Sequence, residues 1–546
     1  MGTATRQSAR LEKLQQVKNL GWGPGKHITV ANIVQLLTTL LKPGDRLCIE
    51  GDNQKQASFL ADSLLQMDPK VVHDLQMALS SLMLPQYLDL VDSGIVSAID
   101  FSYAGPLGGR LADMVVNSRI KVNNIHTYVE LYSRYFIDLP IDVACITAMK
   151  ADRAGNLYTG ANTEETAAIV EAVAFNQGII VAQVDEVVDK LSRVDIPADW
   201  IDFIVPAPEP YNIAPLFTKD PAKMTEQMVL MAMMTLKGIY AKYLPTTINH
   251  GVGFNSAAIE LLLPTYGEEL GLKGKACQYW ALNPHPTLIP AIESGFVKHI
   301  ALVGGEIGMT DYMQANPDIY KIGPDGTPRS NRFFAQMAGH YADIFVGSTL
   351  QMDVHGNSST VTEGRLVGSG GAPNFGCDST ARRHVSPAFL KAGAEAYEGR
   401  YTPRGRKLVV QIIETFHGKV EPTFIEQLDA WKMKDKVGLP VPPVMIYGDD
   451  VSHVVTEEGI ANFLLCRTPE DREQAIRGVA GFTAVGRKRD LAKVKELRAR
   501  GIIQYPEDLG IRRSDATRDY LAAADIHDLV RWSKGLYQPP PQFRTW

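Results

Sequence analysis

The sequence predicts an α/β fold made of two halves of similar architecture. Short apolar runs rich in β-branched residues, at 46–49, 95–101, 143–147, 179–184, 299–303, 344–346 and 408–413, alternate with helix-like segments. Buried strands separated by helices read this way. At 546 residues the chain exceeds one ordinary domain core. A strand-to-loop-to-helix junction with glycine at the turn also occurs twice: Cys48-Ile-Glu-Gly-Asp-Asn precedes a helix-like segment at 57–65, and Ile248-Asn-His-Gly-Val-Gly-Phe-Asn precedes another at 257–263.

The first half is expected over residues 1–219. Its N-terminal twenty residues are polar and basic, unlike a secretory signal, and position 6 is Arg, against the myristoylation pattern. Residues 191–223 hold six prolines and form the expected connection between halves. Asp220-Pro221 reads as an N-cap followed by proline at the first helical position, opening a helix to about Tyr243. Met224, Met228, Met231, Met233 and Met234 on that helix suit adaptable core packing better than a partner groove. The second half follows over 220–486, and 487–546 is a basic C-terminal extension. Residues 487–500 carry seven basic and two acidic side chains, which read as a solvated helix face or a docking site for an acidic partner.

The totals exclude several classes. With 45% hydrophobic and 21% charged residues the chain is globular. A formal charge of −6 argues against nucleic acid. Five scattered cysteines without Cys-x-x-Cys fit a reducing compartment, and no apolar run approaches the ~18 residues of a membrane span. A cytoplasmic location is expected. His250, His285 and His355 lack metal-ligand spacing, so no metal is expected and hydrogen-bonded roles suit them better.

The stretch Gly364-Arg-Leu-Val-Gly-Ser-Gly-Gly-Ala-Pro-Asn-Phe-Gly376 holds five glycines in thirteen residues. It continues neither helix nor strand, and it matches neither dinucleotide nor P-loop patterns. Glycine lets backbone N–H groups approach a ligand and adopt positive φ, so such a loop can present amides to an oxyanion.

Asp142-Val-Ala-Cys-Ile-Thr-Ala-Met-Lys-Ala-Asp-Arg-Ala-Gly-Asn-Leu157 resembles a strand and turn of class I coenzyme A transferases, and Val181-Ala-Gln-Val-Asp-Glu-Val-Val188 resembles the strand and acidic turn that follow it there. His340-Tyr-Ala-Asp-Ile344, Gln351-Met-Asp-Val-His-Gly356 and the glycines up to Gly371 resemble the approach to that family's Gly-Gly loop. His453-Val-Val-Thr-Glu457 resembles its late Ile-Val-Thr-Glu segment. The resemblance runs with gaps from about Leu41 to Val485. Within the superfamily, the length, the fused halves and Gly-Ser-Gly-Gly-Ala-Pro-Asn-Phe-Gly look most like the α subunits of bacterial malonate decarboxylases.

That resemblance implies two similar open α/β sandwich halves of coenzyme A transferase type, with the active site between them. It also implies exchange of malonate for acetate on the thiol of an acyl carrier protein, whose phosphoribosyl-dephospho-coenzyme A group belongs to a separate subunit. Other subunits decarboxylate the malonyl thioester, and this chain carries no covalent cofactor of its own. The alternatives are an ordinary coenzyme A transferase with a glutamyl thioester, and a non-catalytic scaffold subunit. The family's nucleophilic glutamate should fall on a strand near 275–281, yet no Asp or Glu occupies 270–292. Direct attack by malonate, through a mixed anhydride, is therefore expected. The backbone at Gly251, Gly253, Gly368, Gly370 and Gly371 would serve catalysis, with Asn255, Ala372 and Asn374 in substrate binding. A tight strand–helix turn is the other reading of Gly251 and Gly253. Cys277, Glu306 and Glu363 are the alternative nucleophiles.

Overall fold

The computed structural model describes residues 3–23, 25–214, 220–380, 382–383, 385–397, 404–418 and 420–544. Its frame is two sheets. In the first, the spatial order is Phe203–Pro206, Ile179–Val188, Val143–Asp152, Arg46–Ile49, Leu75–Ser81, Val96–Tyr103 and Lys121–Ile125, all parallel. Leu157–Tyr158 folds back antiparallel on Val143–Asp152. In the second sheet His299–Leu302, Tyr279–Leu282, Thr247–His250, Ile344–Gly347, Leu408–Ile412 and His453–Val455 run parallel. Ile460–Asn462 and Ile503–Gln504 close its edge antiparallel.

Both sheets are wound alike. The first strand in the chain lies inside, the next strands add to one side, and later strands add to the other. Helices cover both faces, so the strands are buried on each side and read as unbroken apolar runs rather than alternating ones. Each winding reverses beside its first strand. That reversal opens a crevice at the carboxyl ends of the strands, where ligands of such folds bind.

A shared turn also relates the halves. Asp152 accepts hydrogen bonds from the N–H groups of Gly155 and Asn156 and from Asn156 Nδ2, while Asp353 accepts from the N–H groups of His355 and Asn357 and from Asn357 Nδ2. Asp152-Arg-Ala-Gly-Asn156 and Asp353-Val-His-Gly-Asn357 are thus one side-chain-capped turn used twice.

The helix expected from Pro221 begins later. Asp220 caps only the single turn Pro221–Lys223, and Thr225 accepts from the Met228 N–H to cap the helix at Glu226. Met224, between the two caps, is extended. The helix continues through a wide turn at Leu236–Tyr240 to Tyr243, and Met231, Met233 and Met234 are buried in the second core. The segment after 486 is woven into the second half. Ile503–Gln504 supplies its edge strand, and Ile511, Ile526, Leu529 and Tyr537 enter its core. The expected boundary at 219 falls beside 215–219, outside the described residues.

Candidate functional site

A cavity of about 300 Å3 lies where the crevices of both sheets meet the Gly-rich loop. Thr247–His250 delivers His250, Gly251 and Val252 to it, and Ile344–Gly347 delivers Gly347 and Ser348. Asn53, Tyr103 and Tyr128 come from the first half. Helix Arg332–Tyr341 contributes Arg332 and Gln336, one turn apart on one face. One wall is apolar, with Leu282, Val303, Phe345, Val367 and Phe375.

The loop is stitched to the first half. The N–H groups of Ser369 and Gly370 both donate to the Ser102 carbonyl, at 2.9 and 3.0 Å. Ala104 N–H donates to Val367 O at 2.6 Å, and Tyr128 N–H to Gly370 O at 3.3 Å. Gly368 and Gly370 have φ of 77° and 57°, and a methyl group on Gly368 would collide with the Ser102 carbonyl. Glycine is required here by close approach and by backbone conformation together.

These bonds sort the predicted donors. The Gly251 N–H is spent on Val346 O at 2.7 Å, and the Gly370 N–H on Ser102, so neither is open to an oxyanion. Among the described residues, no hydrogen bond uses the N–H of Gly368 or Gly371. Gly251, Gly368, Gly370, Gly371 and Ala372 line the cavity, whereas Gly253, Asn255 and Asn374 lie outside its lining. Gly253 instead caps helix Phe254–Leu262. Asn255 donates to Ile412 O at 3.5 Å, and the Asn374 carbonyl meets His340 Nδ1 at 3.4 Å.

The alternative nucleophiles are not brought to the cavity. Cys277 precedes the amino end of strand Tyr279–Leu282, whereas the cavity lies at its carboxyl end, and burial pushes the thiol well up. Glu363 is an exposed hairpin-tip residue paired with Lys432 at 2.7 Å and Lys436 at 2.8 Å, contacts that pull its carboxyl down to about 2. Glu306 is buried and is not among the lining residues.

Beneath the cavity lies a polar floor that local sequence does not reveal. Arg332 Nη2 donates to Asp52 Oδ1 at 2.5 Å and meets Glu164 Oε2 at 3.5 Å, while its guanidinium stacks 4.7 Å over the Tyr128 ring. Glu50 accepts from the Thr147 N–H at 2.8 Å and lies 3.4 Å from Lys55. Burial, with the Asp52 carboxylate beside them, pushes Glu164 and Glu165 up to about 8. On the other side Glu260 accepts from Thr287 Oγ1 at 2.5 Å and meets the Nδ1 atoms of His250 and His285 at 3.0 and 3.2 Å. Burial alone would raise Glu260, but the two imidazoles hold it down to about 2. His250 Nε2 faces the Tyr240 hydroxyl at 2.7 Å, so the hydrogen-bonded role suits this residue.

The family model described as "Malonate decarboxylase, alpha subunit, transporter" matches residues 3–546. The chain belongs to the malonate decarboxylase α-subunit family. The acetyl-S-ACP:malonate ACP transferase of Malonomonas rubra is 52% identical over 545 residues, 99% of this chain and 98% of that protein. A chain of the Pseudomonas malonate decarboxylase hetero-tetramer, solved in complex with malonate, is 50% identical, with a TM-score of 0.96 and 99% of each chain covered. The malonate decarboxylase α subunit of Acinetobacter baumannii is 49% identical with a TM-score of 0.95, again over 99% of each. The citrate lyase α subunit of Streptococcus mutans, at 17% identity and a TM-score of 0.59 over 95% of this chain and 87% of that one, shows a shared fold.

In this α-subunit fold, Arg332, Gln336, Asn53 and Asn283 escape sequence reasoning because each sits in an ordinary helix or at an ordinary strand end, and only topology gathers them. Arg365 had a signal, since it is the charged residue inside the Gly-rich stretch. It lies exposed on the cavity rim, without an ion-pair partner among the described residues. No described helix is long and apolar enough to cross a membrane.

Proposed function

We propose that this chain is an acyl-carrier-protein transferase: it takes acetyl-S-carrier and malonate and gives malonyl-S-carrier and acetate, as the α subunit of a malonate decarboxylase complex. Its 52% identity, over 99% of the chain, to an enzyme named for that reaction supports the assignment. One observation carries the mechanism. Among the described residues lining the cavity there is no Asp, Glu, Cys or Lys to take the acyl group, and of its hydroxyls those of Ser348 and Thr360 donate to the carbonyls of Ile412 and Gly368.

The substrate then supplies its own nucleophile. A malonate carboxylate oxygen attacks the acetyl thioester carbon, giving a tetrahedral oxyanion. Collapse breaks the C–S bond, releasing the carrier thiolate and leaving an acetic–malonic mixed anhydride. The thiolate attacks the malonyl carbonyl, the anhydride C–O bond breaks, and acetate leaves. Neither step requires a proton from the protein. The amides of Gly368 and Gly371 are the loop donors we assign to the oxyanion, each worth about 10²–10³ in rate in comparable sites. The apolar wall excludes water that would hydrolyse the anhydride.

We further infer that the carrier's arm is a phosphoribosyl-dephospho-coenzyme A group on a separate subunit, that decarboxylase subunits use the malonyl thioester, and that the exchange takes place in the cytoplasm. Arg365 on the rim suits an entering phosphate or carboxylate. Incubating the chain with labelled acetyl-carrier and malonate tests the reading. Malonyl-carrier and free labelled acetate are expected. Turnover with coenzyme A thioesters alone would move the chain to the ordinary coenzyme A transferases, and no turnover would leave a scaffold.

A further inference from the structure

The loop at 303–309 leaves the carboxyl end of edge strand His299–Leu302 and is wedged between two segments far from it in sequence. On one side it lies against the first half. A methyl group on Gly304 would lie 2.7 Å from Glu164 Oε1, and one on Gly305 would collide with the Asn162 side chain. On the other side it lies against residues near the carboxyl end of the chain. The Gln538 N–H donates to the Gly308 carbonyl at 2.9 Å. Gly308 has a φ of 81°, and a methyl group on it would collide with the Gln538 carbonyl. Glycine is needed on both sides of this loop by close approach.

The segment that touches Gly308 is itself anchored. Tyr537 is fully buried in the second core, Leu536 packs against that core, and Pro539 and Pro540 are buried. The Tyr537 N–H donates to Ser533 Oγ at 2.9 Å, and Arg544 Nε donates to the Pro539 carbonyl at 2.6 Å. Two consecutive prolines restrict the unfolded chain as well, so ordering this segment costs little entropy. What the loop presses on bears on the reaction. Glu164 accepts from Ser330 Oγ at 3.0 Å and meets Arg332 Nη2 at 3.5 Å, and Arg332 lines the cavity. Val303, the first residue of the loop, lines it too.

Resting on the transferase reading above, we propose that residues 537–540 are a strap that positions loop 303–309, and through it Glu164 and Arg332, for acyl exchange. The strap reaches neither the cavity lining nor the reacting atoms, so its residues are positioning residues. Both of its contacts with Gly308 come from the Gln538 backbone, which makes the course of the chain matter more than the side chain at 538. Releasing the strap lets the loop lift from Glu164. A misplacement of about 1 Å from a change remote from the chemistry can cost about 10²-fold in rate.

The test uses a chain lacking residues 537–546, together with Tyr537→Ala, Tyr537→Phe, Gln538→Ala and Gly308→Ala in the full chain. Acyl exchange should fall about tenfold or more in the truncated chain, in Tyr537→Ala and in Gly308→Ala. Tyr537→Phe, whose ring fills the same core, and Gln538→Ala, which keeps the backbone contacts, should stay within about twofold of wild type. Adding Gly308→Ala to the truncated chain should cost nothing further, because the carbonyl it would strike is gone. Amide hydrogen exchange of the unliganded chain should quicken at 303–309 and 161–165 in the impaired variants, and stay slow in Val96–Tyr103. Unchanged hydrogen exchange at 303–309 in Gly308→Ala, or near-normal turnover of a truncated chain, would overturn the strap. If the truncated chain fails to fold, Gly308→Ala decides. Should the wild-type chain transfer nothing, the transferase reading fails, while hydrogen exchange still tells whether residues 537–540 hold the loop.

Discussion

Arg332 and Asp52 are 280 residues apart in sequence and joined side by side, Nη2 to Oδ1 at 2.5 Å. The pair begins a relay across the molecule. Arg332 stacks on Tyr128, and the Tyr128 N–H donates to the carbonyl of Gly370 in the Gly-rich loop. The loop's position and the contact between halves are thus set by the same few side chains.

Breaking the pair should be costly. Asp52→Ala leaves a buried guanidinium without its closest counter-charge, and such losses typically destabilise by about 3–5 kcal/mol. The thermal midpoint should fall and exchange should be lost. A double variant with Asp52→Leu and Arg332→Met should recover much of the midpoint but none of the activity. Recovery of exchange in the double variant would show that the pair serves folding alone.

The loop glycines should differ in a definite order. Gly368→Ala meets the Ser102 carbonyl at φ 77°, so exchange and stability should both fall. Gly371→Val presses on the flexible Gln336 amide, so exchange should disappear while the protein remains folded. Gly364→Ala meets nothing within 4 Å and should behave as wild type. Near-normal turnover of a soluble Gly371→Val chain would remove the loop from catalysis.

Stability should fall on the alkaline side of a mildly acidic optimum. Glu164 and Glu165, raised by burial to about 8, keep their protons when folded, whereas unfolded they ionise near about 4.3. Their contribution is fully present below the unfolded value and is lost as pH rises through the folded one. Glu260, held down to about 2, acts in the opposite sense, with stability lost as pH falls through that value. Thermal midpoints should decline from roughly pH 5 to pH 8, and Glu164→Gln or Glu165→Gln should flatten the decline. An equally steep decline in both variants would assign it to other groups.

No acyl adduct should form on the chain. Acetyl-carrier plus borohydride should leave activity intact, because there is no enzyme thioester to reduce. Cys277→Ser, Glu306→Gln and Glu363→Gln should retain measurable exchange, and mass spectra of chain quenched during turnover should carry no acyl group. A stable adduct on any of the three would overturn direct attack by malonate and leave the transferase assignment standing.

The basic segment should prove structural. Lys488 pairs with Glu426 at 2.8 Å, Lys493 with Asp471 and Glu496 at 3.0 Å, and Arg500 with Asp471 at 2.9 Å. Replacing Lys488, Lys493 and Lys495 by Glu should leave the KM for carrier within about twofold, with no added salt dependence. A large rise would make the segment a docking site despite these pairs.

Much of the framework was legible because parallel strands buried on both faces leave unbroken apolar runs. The runs at 46–49 and 179–184 lie wholly in strands, and the run at 408–413 overshoots strand Leu408–Ile412 by one residue. The helix start at Glu226 is not legible in the sequence because Asp220 and Thr225 are two competing caps, and only packing decides between them. The turn shared by Asp152 and Asp353 has a weak sequence signal, one aspartate and one Gly-Asn pair. The Gly-rich loop announced itself by composition, but the use of its amides depends on Ser102, far away in sequence. Arg332, Gln336 and Asn283 had no local signature at all. Long-range placement, not spacing along the chain, makes them a site.

Neither half holds a finished pocket, since the loop is bonded to Ser102 and Arg332 reaches Asp52. Activity therefore reports the docking of the halves rather than the folding of either sheet. On refolding, helical signal should return as each half collapses, and turnover should lag behind it until the halves have met. A nick in the connection between them would leave two fragments that are inert apart and competent only on reassociation.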